Sequence, residues 1–339
     1  MHMVDMLISP AVGSIMLAVT AKTTSYSIKN IEYNFDEKKI PLMGAMGAFV
    51  FASQMINFSI LGTGSSGHLG GGMLLAILLG PHAGFLTMAS ILLIQALFFG
   101  DGGLLAYGCN VFNLGFYTCF VAYPLIYKKI IKKGINYKSI FYASLISSLI
   151  GLQLGSFSVV IQTLLSGKTE LSFGTFAMMM QSIHLAIGIV EGLVTSAVVA
   201  LVWRVNPEII EKTADREYLG SASMKKLIAG IIVAAVMIGG VFSWFASSSP
   251  DGLEWSISKT IGSTEFNDLG GIHEVLAEIQ NKVALLPDYG FKAYDEANDI
   301  LSYEKAGTTT SGIFGGTMTL AMASLIGLLI SKFKKQPSH

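Results

Sequence analysis

Nine apolar runs divide the chain, at about 7–21, 41–60, 69–80, 82–99, 104–127, 137–165, 172–203, 226–246 and 310–331. A helix that crosses a bilayer needs roughly 20 mostly apolar residues, so most of these runs predict spanning helices. The third is glycine-rich, ends at Gly80-Pro81 and is too short for a normal span. It predicts a half-helix, or a short steep helix, buried against its neighbours. The pattern as a whole predicts an all-α, polytopic membrane helix bundle. Residues 247–307 break the apolar pattern, yet Ile272 to Ile279 keeps helical apolar spacing. That segment predicts a small, partly helical extracytoplasmic module.

Composition sharpens this reading. Of the 339 residues 52% are hydrophobic and 13% charged, and the mean hydropathy is +0.60, whereas soluble domains carry about 25% charged residues. A soluble globular fold is excluded. The 37 glycines fall largely inside apolar runs, where small residues let membrane helices approach closely. Cys109 and Cys119 lie ten apart in an apolar stretch, a spacing that fits neither a disulfide framework nor a C-x-x-C site; they are read as packing residues. The 22 basic and 22 acidic residues cancel, so no overall basic field argues for a nucleic-acid partner.

Where the charges sit sets the orientation, because positive residues are retained in the cytoplasm. Clusters at Lys22 to Lys39, Lys128 to Lys138, Arg204 to Lys226 and Lys332 to Lys335 hold seventeen of the 22 Lys and Arg residues, after the first, fifth, seventh and ninth runs. Nine crossings then put the N-terminus outside and the C-terminus in the cytoplasm. No Lys or Arg precedes the first run, so that run is read as a retained span and not as a cleaved leader. The 247–307 loop holds half of all the acids, eleven against four lysines. It is either a solvated cap or an acidic funnel that concentrates cations.

Candidate chemistry begins at Met1-His2-Met3-Val4-Asp5. The Met1 amine and the His2 backbone nitrogen close a five-membered ring on a metal, and that nitrogen with His2 Nδ1 closes a six-membered one. The planar donors suit the square-planar preference of Ni²⁺ or Cu²⁺, and a fourth nitrogen would complete the plane. Leu61 to Gly72 reads Leu-Gly-Thr-Gly-Ser-Ser-Gly-His-Leu-Gly-Gly-Gly. Gly62, Gly64 and Gly67 mimic a dinucleotide fingerprint, but no βαβ unit surrounds them. As a Walker loop the stretch fails, because His68-Leu69 stands where Lys-Ser/Thr is required, so no nucleotide site is expected in this chain. The remaining reading is a tight re-entrant loop that delivers His68, on the same outer side as the amino terminus, as the fourth nitrogen. Asp5, Ser66, Gln95, Asn110 and Asn113 are candidates to orient the imidazoles or to bond across helices. Within the seventh run His184 and Glu191 lie seven apart on one helical face, and ionisable groups inside a span are functional candidates. His82, His273 and His339 are read as solvated.

These residues resemble a known family, the CbiM/NikM-type substrate-specific components of energy-coupling-factor transporters for cobalt and nickel. The resemblance rests, in order, on Met1-His2-x-x-Asp5, Pro41 to Met55, Ser66-Gly67-His68-Leu69, Ala76 to Pro81, Gln95 to Leu104, Asn110 to Asn113 and Gly188 to Thr195, covering about residues 1–203. Met6 stands where the family's opening motif has glycine. Residues from 226 on resemble the small N component of the same systems, with Pro250-Asp251-Gly252-Leu253-Glu254-Trp255 as its signature. The resemblance implies an M-type domain over 1–225 with about seven helices, fused to an N-like region over 226–339. In the latter, helices 226–246 and 310–331 flank the acidic loop. It also implies a metal site of Met1, His2 and His68, and a prokaryotic cell-membrane location. The implied partners are a transmembrane coupling component and two cytosolic ATPase subunits.

On this reading Ni²⁺, or Co²⁺, is the transported substrate. Nickel is preferred because it binds nitrogen donors more tightly than cobalt and accepts a square plane; cobalt uptake for cobalamin biosynthesis is the alternative. A membrane-embedded metalloenzyme would need an open metal position and a general base, and a secondary permease would need more intramembrane carboxylates than Glu191.

Overall fold

A computed structural model describes residues 2–34, 36–168, 170–215, 217–219, 224–262, 270–292 and 300–332. The chain is a helical bundle. Helix α1 (Pro10–Asn34) is followed by α2 (Lys39–Gln54). A two-stranded hairpin then pairs β1 (Phe58–Ile60) with β2 (Ser65–Gly67), antiparallel, with Ser59 opposite Ser66. The second apolar run is therefore not helical to its end: α2 stops at Gln54, and Phe58–Ile60 finds backbone partners across the hairpin instead. Gly62 and Gly64, at φ +79° and +73°, make the turn between the strands, a conformation that L side chains resist.

Beyond the hairpin come α3 (Gly72–Leu79), α4 (Pro81–Phe99), α5 (Tyr107–Ile131), α6 (Tyr137–Leu165) and α7 (Phe173–Val205). The third run is thus a two-turn helix, buried along its whole length, with Pro81 opening α4 where its missing N–H costs nothing. The last turns of α4, from Gln95, and most of α5, from Phe112, are wound wide in π geometry, a departure often found beside functional groups. Helix α6 begins in a capping box between Asn136 and Ser139. The short α8 (Pro207–Asp215) precedes α9 (Lys225–Gly240), and the chain closes with α12 (Ile300–Lys332). Between these last two lie α10 (Gly252–Ile261) and α11 (Ile272–Val283). The helical spacing read at 272–279 is α11.

Among the described residues five helices are long and apolar enough to cross a membrane: Pro81–Phe99, Tyr107–Ile131, Tyr137–Leu165, Phe173–Val205 and Glu304–Lys332. Helices α2, α3 and α9 are too short by themselves, and α1 mixes lysines, threonines and serines into its apolar run. With five such helices the protein is a multi-pass membrane protein. Helix α7 packs along α6, while α12 and α9 pack on α2, so α9 and α12 belong to the same bundle.

The lysine-rich loops meet at one end. Asp36, after α1, accepts from the Leu219 amide at 2.6 Å, Ser331 reaches Glu37 at 3.1 Å, and Lys128, Lys129 and Lys132 line a cleft with Pro81 and Thr213. His82 lies here, and it is not simply solvated: its ring packs between Tyr26 and Phe120, each 5.4 Å away.

Candidate metal centre

At the opposite end two chain segments carry the candidate imidazoles. The first is residues 2–8, which enter the bundle before α1. Asn110, on α5, clamps it by accepting the Met3 N–H at 2.7 Å and donating to the Met3 carbonyl at 3.0 Å. Asp5 accepts from the Ala106 amide at 2.9 Å, and Gly103 N–H donates to Met3 O at 2.9 Å. A Cβ on Gly103 would collide with the Asp5 carboxyl, so only glycine permits this approach.

The second segment is the stretch from β2 into α3. Glu191, buried on α7, accepts from the Gly70 and Gly71 amides at 2.7 and 3.1 Å. A carboxylate inside the bundle thus meets two backbone donors, the compensation that its burial requires. From the other side Gln54 donates to Gly70 O at 2.8 Å and accepts from Gln95 at 2.9 Å. Ser66 donates through its amide to Pro250 O at 2.8 Å and through its hydroxyl to Ser249 O at 2.7 Å. The segment is held on three sides.

The two segments bring His2 and His68 together, rings stacked with centroids 4.9 Å apart. His2 Nδ1 lies 2.8 Å from Asp101 Oδ1, and the buried His2 Nε2 has no hydrogen-bond partner. His68 Nδ1 donates to Leu69 O at 3.1 Å, which leaves Nε2 with the lone pair; that nitrogen faces Asp251 Oδ2 at 3.9 Å. Burial, with nearby positive charge adding to it, depresses the His68 pKa to about 3, so the ring is neutral and ligand-competent near pH 7. Asp101 is the reverse case. Burial raises its pKa, but the adjacent His2 and hydrogen bonds from His2 and Tyr289 outweigh that and bring it to about 2.

The five residues named as candidates to orient the imidazoles bond to backbone and to other side chains around the two histidine segments. Asp5 and Asn110 anchor the first segment; Ser66, and Gln95 through Gln54, anchor the second. Asn113 donates to Met3 Sδ at 3.6 Å and to Gln162 at 2.9 Å. Met1 lies outside the described residues. Among the described residues no three His, Cys, Asp or Glu side chains stand close enough to hold an ion together, so an ion here needs donors other than side chains.

Sequence reasoning missed the contribution of 247–307 to this site. Asp251 caps α10 by accepting from the Leu253 and Glu254 amides, each at 2.9 Å, while its other oxygen faces His68. Trp255 donates to Thr63 O at 3.0 Å, Gln280 to Gly102 O at 2.7 Å, and Tyr289 to Asp101 at 2.5 Å. His273 is not solvated either: its Nε2 contacts Ile8 O at 2.9 Å. The described part of the loop is therefore docked on the two histidine segments. Acidic positions 265, 268, 295, 296 and 299, and His339, lie outside the described residues. The Asp-x-x-Glu capping box at Asp251 and Glu254 was the signal in the sequence for α10.

Residues 2–209 match the family described as the cobalt uptake substrate-specific transmembrane region, and residues 225–332 match the PDGLE domain. A putative fused nickel transport protein NikMN of Archaeoglobus fulgidus is 30% identical over 324 residues, 95% of this chain and 96% of that protein. A putative cobalt transport protein CbiM of Methanocorpusculum labreanum is 30% identical over 52% of this chain and 77% of its own length. The crystal structure of a transition metal transporter superposes with a TM-score of 0.54 at 31% identity, covering 61% of this chain and 95% of that one.

Proposed function

The chain belongs to the cobalt uptake substrate-specific transmembrane family, with a PDGLE domain joined to it in one polypeptide, and from that premise we propose that it is the substrate-capturing membrane component of an ATP-driven nickel uptake system. It is a transporter component and not an enzyme, as its relatives are named. The observation that carries the reading is the buried stack of His2 on His68, each imidazole held on a separately anchored segment.

In this proposal the Met1 amine, the His2 amide and imidazole, and His68 replace the water ligands of Ni²⁺ in a square plane. Chelation through His2 Nδ1 takes that nitrogen from Asp101, so loading includes a turn of the His2 ring. The neutral His68 lone pair supports ligation without proton loss at pH 7. A transmembrane coupling component and two cytosolic ATPase subunits complete the system, with ATP hydrolysed on the partners. The N-terminus faces outward and the C-terminus the cytoplasm, a placement supported by the lysine-rich loops collecting at the end opposite His68. The division into an M-type part, 1–225, and an N-like part, 226–339, is supported by the two family matches. Cobalt is the second reading, favoured by the description of the matched family.

The test is bound nickel per protein, with the absorption spectrum, for the native chain and for one extended by a single glycine before Met1. Stoichiometric nickel with a square-planar spectrum, lost on extension, supports the chelate. Equal binding by both chains refutes it.

A further inference from the structure

Asp288 and Tyr289 have left-handed backbone, at φ +49° and +60°. Residues with a side chain seldom adopt that conformation, and it persists where the surrounding structure holds it. Here Leu286 N–H donates to Phe98 O and Tyr289 N–H to Leu286 O, each at 3.1 Å. The turn brings the Tyr289 ring from the PDGLE part of the chain onto the end of α4, where it stacks on Phe99 at 4.9 Å and meets Phe51 at 6.2 Å. Its hydroxyl then stands between the two histidine segments. On one side it donates to Asp101 Oδ2 at 2.5 Å, and the other oxygen of that carboxylate lies 2.8 Å from His2 Nδ1. On the other side the Gln95 side chain hydrogen-bonds to the phenol oxygen. The Gln95 amide nitrogen, which has two hydrogens to give, also donates to Gln54 Oε1 at 2.9 Å, and Gln54 donates to Gly70 O at 2.8 Å. A chain of hydrogen bonds thus runs from His2 to the segment that carries His68, with the Tyr289 hydroxyl as its middle member.

We propose that Tyr289 is a positioning residue for nickel capture, acting through Asp101. The proposal deepens the transport reading and rests on the His2–His68 chelate. Chelation takes His2 Nδ1 away from Asp101. Among the described residues the side-chain hydrogen bonds that reach the Asp101 carboxyl come from His2 and Tyr289. When the His2 ring turns to the ion, the Tyr289 O–H stays as the donor to this carboxylate, so loading does not strand a charge away from water. The same hydroxyl keeps the 100–103 turn, whose Gly103 N–H holds Met3 O, in register with Gln95 and hence with Gly70. Without it, each loading event leaves the carboxylate short of a donor, and nickel affinity falls.

The probe is Ni²⁺ alone, measured by equilibrium dialysis and absorption on the full, untagged chain. Tyr289→Phe keeps the ring and its stack on Phe99 and removes the O–H. It is expected to bind one planar equivalent at least about tenfold more weakly, the loss usual for a group that orients a metal ligand, with the thermal unfolding temperature of the native chain. Asp101→Asn separates positioning from packing, because an amide carries no charge to strand. In that background Tyr289→Phe is expected to weaken binding by less than about threefold, as the interaction it removes is already gone. Native affinity in Tyr289→Phe, or an equal loss in both backgrounds, overturns the inference. Should Tyr289→Phe not fold, the native chain provides the second measurement. Square-planar Ni²⁺ is diamagnetic, so the slowly exchanging Tyr289 hydroxyl proton is expected in the NMR spectrum of both the free and the nickel-loaded protein. Its disappearance on loading overturns the inference. A native chain without a planar equivalent refutes the amino-terminal chelate, and this inference with it; a planar native chain matched by Tyr289→Phe refutes this inference alone.

Discussion

Replacing Asn110 with alanine releases the amino-terminal segment, and the size of the effect follows from two bonds. Asn110 Oδ1 takes the Met3 N–H at 2.7 Å and Nδ2 donates to Met3 O at 3.0 Å, and both residues are buried. The carbonyl keeps a second donor in the Gly103 amide, so its loss is an ordinary bond of about 1 kcal/mol. The Met3 N–H has no such reserve, and stranding a buried donor costs about 1–3 kcal/mol. Together the substitution weakens docking by about 2–4 kcal/mol, or at least ~30-fold in the docking equilibrium at 1.4 kcal/mol per tenfold. Amide hydrogen exchange over residues 3–8, followed by mass spectrometry, reads this equilibrium directly. Nickel affinity falls by the same factor only to the extent that the docked state is already marginal. Asn110→Asp keeps the acceptor for the Met3 N–H and loses only the donor, so it loses less protection. Exchange in Asn110→Ala that stays within about threefold of the native rate refutes the clamp.

Three further outcomes are expected. Glu191→Ala leaves the Gly70 and Gly71 amides without their carboxylate and costs about 3 kcal/mol or more, read as a fall in thermal unfolding temperature; an unchanged melting point argues against the anchor. Asp251→Ala removes the cap of α10, worth about 1 kcal/mol, whereas Asp251→Asn keeps a capping oxygen; faster exchange over 252–261 in the first variant but not in the second is the signature. The folded-state pKa of His68 lies near 3, below its ordinary 6.5, so between these values the unfolded chain binds more protons and stability falls as pH drops. Thermal unfolding at pH 7 and pH 5 measures this slope, and His68→Gln flattens it.

Much of this protein is legible in one dimension because the bilayer imposes one-dimensional rules. Long apolar runs such as 137–165 and 172–203 can only be satisfied as helices, and the 3.6-residue spacing of 272–279 gives α11. The donor set proposed at Met1-His2 rests on adjacent covalent bonds alone, and Gly62 and Gly64 announce the turn that precedes His68. The end of the second apolar run was not legible, because hydrophobicity alone does not separate a last helical turn from a strand; the pairing of Phe58–Ile60 with Ser65–Gly67 decided it.

What only the tertiary structure decided is who stands beside the imidazoles. Asp101 against His2, Gln54 bridging Gly70 to Gln95, and Asp251 against His68 join residues 16 to 183 positions apart. A side chain's suitability for such a bond is written in its chemistry, but its partner is set by how helices pack. The same holds for His184. The sequence shows an imidazole inside an apolar helix, and its cost there is known from composition. Which nitrogen carries the proton follows from the Met180 carbonyl one turn back, and that the residue lines a small cavity together with His68 follows from the segment that Glu191 pins against α7.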